Sequence, residues 1–124
     1  MILIDTSVWI DHLRRPEHAI ETLRKRNMVL MHPFVVGELA MGTLSRRPYW
    51  LKKFHDLPQA DVTPLQQVLE FIDAHVLHGS GIGYIDAHLL ASANHLPGTL
   101  LWTRDKRLHA IGLRLNLAAE IQAV

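Results

Sequence analysis

Four acids stand where chemistry could be done. Asp5 ends the apolar run Met-Ile-Leu-Ile-Asp5, and Glu38 lies in Val-Val-Gly-Glu38-Leu. Asp86 lies in Gly-Ile-Gly-Tyr-Ile-Asp86-Ala-His-Leu-Leu-Ala-Ser, and Asp105 follows nineteen residues later in Leu-Leu-Trp-Thr-Arg-Asp105. Carboxylates gathered in one crevice repel one another, and burying them uncompensated raises their pKa values or destabilises the fold. A hard divalent cation resolves the conflict. Oxygen ligands without Cys or an obvious His pair favour Mg²⁺ or Mn²⁺, ions that polarise a phosphodiester, lower the pKa of water and stabilise a departing oxygen. The chemistry implied is phosphodiester hydrolysis. Each acid alone also has a plainer role: Asp105 and Asp5 as helix caps, Asp86 and Glu38 as favourable first-turn charges.

Whether the four meet depends on the elements that carry them. Residues 1 to 5 suit a short strand buried on both faces. Thr6-Ser7 offers N-cap chemistry for a helix with Val8, Trp9 and Leu13, stopped near Arg15-Pro16, and Glu17 to Arg26 reads as a second helix with acids early and bases late. Met28 to Met31 is a second buried strand. His32-Pro33 opens a helix carrying Val35, Val36, Leu39, Ala40 and Leu44, with Glu38 in its first or second turn. Gly37 and Gly42 fall inside that helix, which suggests a close backbone approach. A short helix over Tyr49 to Leu57 presents Trp50 and Phe54, and Ala60 to Val62 suits a small edge strand.

Thr63-Pro64-Leu65-Gln66 combines an N-cap, Pro at N1 and a capping-box glutamine, and Leu65, Val68, Leu69, Ile72 and Val76 form the apolar stripe of the helix that follows. After His78 to Gly83 a further helix runs from Tyr84 to Pro97-Gly98, with Asp86 in its first turn and Ile85, Leu89 and Ala93 packed. Thr99 to Thr103 is a strand, Asp105 opens a helix with Leu108 and Ile111, and Leu113 to Leu117 suits a last strand. Strands alternating with helices predict an α/β fold, a three-layer α/β/α sandwich with a mostly parallel central sheet. In such a sheet, strand C-termini and helix N-termini share one edge, so all four acids converge there.

The 124 residues suffice for one domain spanning 1–124, and 48% hydrophobic with 20% charged residues is the balance of a globular protein. The chain contains no cysteine, so disulfides and thiolate metal sites are excluded. The start lacks a signal-peptide n-region and no apolar run reaches membrane-spanning length, which predicts a cytoplasmic protein with no membrane partner. A formal charge of +1 hides basic clusters: Arg14-Arg15, Arg24-Lys25-Arg26, Arg46-Arg47, Lys52-Lys53, and Arg104 with Lys106-Arg107. With acids sequestered on a metal-bearing or buried surface, the rest of the exterior is positive and suits a polyanion; the plainer reading is solvated helix faces balanced by Glu and Asp.

Other chemistry finds little support. Nine histidines include no HExxH or Cys/His spacing, only His75 and His78 at a helix end. Gly79, Gly81 and Gly83 precede a helix without the lysine or strand of a nucleotide loop, and no GxSxG elbow occurs. Trp9, Leu13, Trp50, Phe54 and Leu57 read as core, or as the wall of a partner groove.

The order and spacing of Ile-Leu-Ile-Asp5-Thr-Ser-Val-Trp-Ile, Val-Val-Gly-Glu38-Leu, Gly-Tyr-Ile-Asp86-Ala-His-Leu-Leu-Ala and Leu-Trp-Thr-Arg-Asp105-Lys-Arg-Leu resemble a PIN domain, and more closely a VapC-type ribonuclease toxin of a bacterial type II toxin–antitoxin pair. The resemblance covers nearly the whole chain. It implies Mg²⁺- or Mn²⁺-dependent endoribonuclease activity on RNA, homodimerisation, and inhibition by a cognate antitoxin wrapping the early helices. By position, Asp5, Glu38, Asp86 and Asp105 would be the metal-binding and catalytic acids, with Asp5 and Asp86 the leading ligands and Thr6 and Thr103 supporting them. Arg104 and Lys106 flank the site and could meet the RNA backbone. An alternative keeps the PIN fold as a non-enzymatic partner-binding or RNA-binding module working through its tryptophan-bearing helices. A phosphorylated receiver-like domain would need an acidic pair at the first strand and a late lysine, and the sequence supplies neither.

Overall fold

The computed structural model describes residues 1–121, so the end of the expected 1–124 unit lies outside the described residues. The chain runs β1 (Ile2–Ile4), α1 (Thr6–Arg14), α2 (His18–Lys25), β2 (Val29–Leu30), α3 (Pro33–Met41), α4 (Arg47–Asp56), α5 (Leu65–Ala74), α6 (Tyr84–His95), β3 (Leu100–Trp102) and α7 (Lys106–Arg114). The strands form one parallel sheet in the order β2-β1-β3. Leu3 pairs with Leu30 on one side and Leu101 on the other, so β1 is central, and it is buried along its whole length. Parallel crossovers are right-handed, so the opposite steps from β1 to β2 and from β2 to β3 place helices on opposite faces. The result is the expected α/β/α sandwich.

The core explains the placement. Leu3, Ile4, Val8, Met31, Leu89, Leu90, Leu101 and Leu108 are all fully buried around the sheet. Every residue of α6 from Ala87 to Ala93 is buried, the helix packing against α5 and β3. Truncating Leu3 or Leu89 to Ala in such a packed layer costs about 2–5 kcal/mol.

Several expectations need correction. Leu113 to Leu117 is not a strand: α7 continues to Arg114, and only a single parallel bridge, Leu101 to Ala118, extends the sheet on that side. Ala60 to Val62 is likewise no strand, because the pairing there is one bridge from Met31 to Gln59. Both are too short to repeat a ladder, which local pattern cannot reveal. Helix α3 stops at Met41 and Gly42 is its C-cap, so Leu44 lies beyond it. A Cβ at Gly37 would meet nothing within 4 Å, so no close backbone approach occurs there. At α5 the N-cap is Pro64, with no side-chain cap, and Gln66 donates to Glu70 instead of closing a capping box. Of its predicted stripe only Val68 is fully buried, whereas Leu65 and Leu69 are exposed.

Candidate active site

Asp5 follows the last residue of β1, and its N–H still donates to the Trp102 carbonyl at 2.9 Å, continuing the parallel ladder. Its own carbonyl accepts from Val8 and Trp9 N–H, so it is the N-cap of α1, with no side-chain cap bond. That frees the carboxylate. Ser7 Oγ and Thr103 Oγ1 each donate to Asp5 Oδ2 at 2.7 Å. Each hydroxyl has one proton, so the 3.3 Å approach between Ser7 and Thr103 is a contact and not a further bond. Their lone pairs accept in turn: Arg104 N–H donates to Ser7 Oγ at 3.0 Å and Asp105 N–H to Thr103 Oγ1 at 3.1 Å. Ser7, expected only as a cap residue, orients an acid instead, and Thr6 takes the supporting role that the resemblance implies rather than that of a cap.

The other acids are held in a similar way. Thr6 Oγ1 donates to Glu38 Oε1 at 2.7 Å, tying the start of α1 to the second turn of α3. Asp86, half-buried at the third position of α6, accepts the Gly83 N–H at Oδ2 over 3.1 Å. Asp105 is the N-cap of α7 and accepts the Leu108 N–H at Oδ1 over 2.9 Å. Thus each acid has one oxygen fixed by a donor, and its second oxygen has no hydrogen-bond partner among the described residues.

The electrostatics show that the four share one field. Burial pushes the Asp86 carboxyl above its usual range; the Gly83 N–H opposes this, and the charges of Asp5, Asp105 and Glu38 raise it further. Among the described residues no three acids or histidines form a ready-made ion cage. Asp86 thus lies in the field of three other carboxylates, each with one oxygen lacking a hydrogen-bond partner among the described residues. Free oxygen donors of this kind fit a hard divalent ion that keeps several waters, as Mg²⁺ does.

Arg104 departs from expectation. Its guanidinium donates to Glu17 through both terminal nitrogens and to Asp11 Oδ2 at 2.8 Å, so it is engaged inside the protein rather than open to a phosphate. The Glu17 and Asp11 contacts hold it more firmly protonated than an ordinary arginine, against the opposing effect of burial. Lys106 is exposed and makes no ion pair among the described residues. Sequence reasoning also missed Ser7 as an Asp5 ligand, although its place two residues after the acid was a signal. His32 and His88 are also buried, His32 packing on Phe34 and His88, in α6, on Phe34 and Tyr84, and the i, i+4 spacing of Tyr84 and His88 could have shown the latter pair.

A groove of about 600 Å³ opens beside Glu38, lined by Ile10, Leu13, Arg14, Leu39 and Trp50. Trp9 and Phe54 pack edge to face at 5.4 Å and are buried, so they belong to the core.

A family profile of the PIN domain matches residues 2–113. The chain is also 42% identical over 110 residues to a protein named Ribonuclease VapC32 from Mycobacterium tuberculosis (strain CDC 1551 / Oshkosh), an alignment covering 89% of each chain. The protein of the same name from strain ATCC 25618 / H37Rv matches equally, at 42% identity over 110 residues and 89% of each chain. With its parallel sheet and its acids gathered at the sheet edge, the chain belongs to the PIN domain family.

Proposed function

We propose that the protein is a metal-dependent endoribonuclease that hydrolyses RNA phosphodiester bonds as the toxin of a type II toxin–antitoxin pair, neutralised by a cognate antitoxin. One observation carries this reading: four half-satisfied carboxylates share one edge of a fold whose 42%-identical relatives are named ribonucleases. Asp5, Glu38, Asp86 and Asp105 would hold Mg²⁺ or Mn²⁺ through their free oxygens. When bound, such an ion supplies charge neutralisation for the reacting phosphate and a lowered pKa for water.

The remaining work falls to the chain. Ser7 and Thr103 fix the rotamer of Asp5, so its free Oδ1 points one way before any ligand arrives. Thr6 does the same for Glu38. Burial first, and then the charges of Asp5, Asp105 and Glu38, push the Asp86 carboxyl upward, and a bound cation would oppose that shift. The groove beside Glu38 offers space for a strand of RNA or for an antitoxin segment entering the site.

We read the protein as a cytoplasmic homodimer. Among the described residues no helix is long and apolar enough to cross a membrane. The exposed Leu65 and Leu69 of α5 supply an apolar surface that a second copy could cover. The alternative module working through its tryptophans loses Trp9, which is only 3% exposed, but keeps Trp50 in the wall of the groove beside Glu38.

The test is cleavage of a total-RNA pool with Mg²⁺, Mn²⁺ or EDTA, beside Asp86→Asn, with cut ends mapped by sequencing. Cuts at few sites, dependent on the ion and lost in the variant, are expected. A folded, inhibitor-free wild-type protein that cuts nothing in either ion would overturn the reading.

A further inference from the structure

Residues 103 to 105 connect β3 to α7 without regular secondary structure, yet two groups of the site, Thr103 and Asp105, sit on them. Asp105 is tied to α7, its carbonyl accepting the His109 N–H at 2.9 Å, but Thr103 and Arg104 have no backbone–backbone bond among the described residues, so side chains must fix them. Arg104, between them, has its N–H on Ser7 and its guanidinium on Glu17 and Asp11. Both far ends of this tie are themselves anchored. Asp11 belongs to α1, the helix that Asp5 caps. Glu17 is the N-cap residue of α2, but its side chain does not cap that helix, and its backbone N–H donates to the buried His12 Nδ1 at 3.0 Å. Glu17 is itself 12% exposed and Arg104 27% exposed, so the pair is largely shielded from water.

The charge balance decides between two uses for this arginine. One guanidinium faces two carboxylates, so the local charge is negative and a phosphate gains nothing by approaching it. Three of its N–H···O contacts already go to Glu17 and Asp11. The planar fork of arginine suits a bidentate carboxylate pair that lysine cannot reproduce.

We propose that Arg104 is a positioning residue: clamped by Glu17 and Asp11, it fixes the segment that aims Thr103 at Asp5 and places Asp105 beside it. It acts through these residues and does not touch RNA. The kinetic part of the test rests on the ribonuclease reading; the ion-binding part does not.

The test compares wild type, Arg104→Gln, Glu17→Gln and the double variant, each shown to be folded by circular dichroism. The substrate is an RNA segment that the wild-type protein cuts in a total-RNA pool, and Mn²⁺ binding is titrated separately by electron paramagnetic resonance. Expected is a fall in kcat and a weakening of Mn²⁺ affinity of about tenfold, the low end for loss of a group supporting a metal ligand. KM and the salt dependence of RNA binding stay at wild-type values, Glu17→Gln reproduces the effect, and the double variant is no worse than either single one.

A raised KM with a shallower salt dependence in Arg104→Gln alone would make Arg104 an RNA contact and overturn the proposal. A lowered Tm with wild-type kcat and Mn²⁺ affinity would leave only a structural brace, and would also overturn it. Should Arg104→Gln not fold, Glu17→Gln carries the test, because it keeps the arginine. Should wild type cut no RNA, the ribonuclease reading fails, and equal Mn²⁺ affinity in wild type and Glu17→Gln would overturn the clamp separately.

Discussion

Asp86 carries a charge that the folded protein resists, and that has a thermodynamic signature. A carboxyl raised above its unfolded value binds more protons when folded, so its contribution to stability is full below the ordinary carboxylate pKa and is lost as pH rises through the folded value. In EDTA, Asp86→Asn is therefore expected to melt higher than wild type at neutral pH, with the gap closing as pH falls into the carboxylate range. Thermal melts across that range check this, and a variant less stable at neutral pH would remove the repulsion argument. Thr103 is the second residue to test. Its hydroxyl donates to Asp5 and accepts from Asp105, and it is buried. Thr103→Val leaves both partners short, which is expected to cost about 1–3 kcal/mol in urea unfolding, with cleavage reduced as well. The acids themselves were readable because strand ends and helix starts locate a carboxylate without knowledge of its neighbours. The hydroxyls were not: which acid Thr6, Ser7 or Thr103 meets depends on side-chain direction across segments up to 98 residues apart. The carboxylate partners of Arg104 were illegible for the same reason, since Glu17 lies 87 residues away.

At the scale of elements, the helix carrying Glu38 is held at its start by a histidine. His32 Nδ1 accepts the Phe34 N–H at 2.9 Å as the N-cap of α3, which requires an unprotonated Nδ1 and places the proton on Nε2. Nε2 is buried with no partner. Burial first, and then the neighbouring His88, lower the His32 pKa from 6.5 to about 4. Because the unfolded ring takes up a proton first, the stability it contributes is present above about pH 6.5 and is lost as pH falls towards 4, by roughly 3 kcal/mol across the window. His32→Asn keeps a good capping acceptor without titrating. Its urea midpoint is expected to vary less than that of wild type over this window, whatever its absolute stability; an unchanged pH slope would show that His32 does not set it. His32-Pro33 was legible as a helix start from the proline, but the cap was not, since histidine is no usual cap residue. The two misplaced strands have a different cause. Leu113 to Leu117 has strand-like composition, but packing of Leu108 and Ile111 carries α7 onward, and only the Ala118 bridge meets Leu101. Local propensity loses to tertiary packing there.

For the whole molecule, charge is distributed unevenly. Of 13 Lys and Arg, only Arg24, Lys52 and Arg104 form ion pairs with carboxylates among the described residues. The formal +1 thus combines an acidic site with an exterior whose cations are mostly uncommitted. A polyanion bound at the acidic edge must be drawn by those cations, because the carboxylates repel it until their charge is offset. Binding of RNA to Asp86→Asn, the variant expected not to cleave, should weaken linearly in log affinity against log salt, each phosphate contact contributing to the slope. Lys106, exposed at the start of α7 and next to Asp105, is the cation placed to make such a contact. Lys106→Gln is expected to reduce the salt slope by about one and to weaken binding evenly across RNA sequences, as loss of a phosphate contact does. Filter binding at several salt concentrations measures both. A slope unchanged in Lys106→Gln would move the phosphate track away from α7, and Arg14, which lines the groove beside Glu38, would be the next to vary.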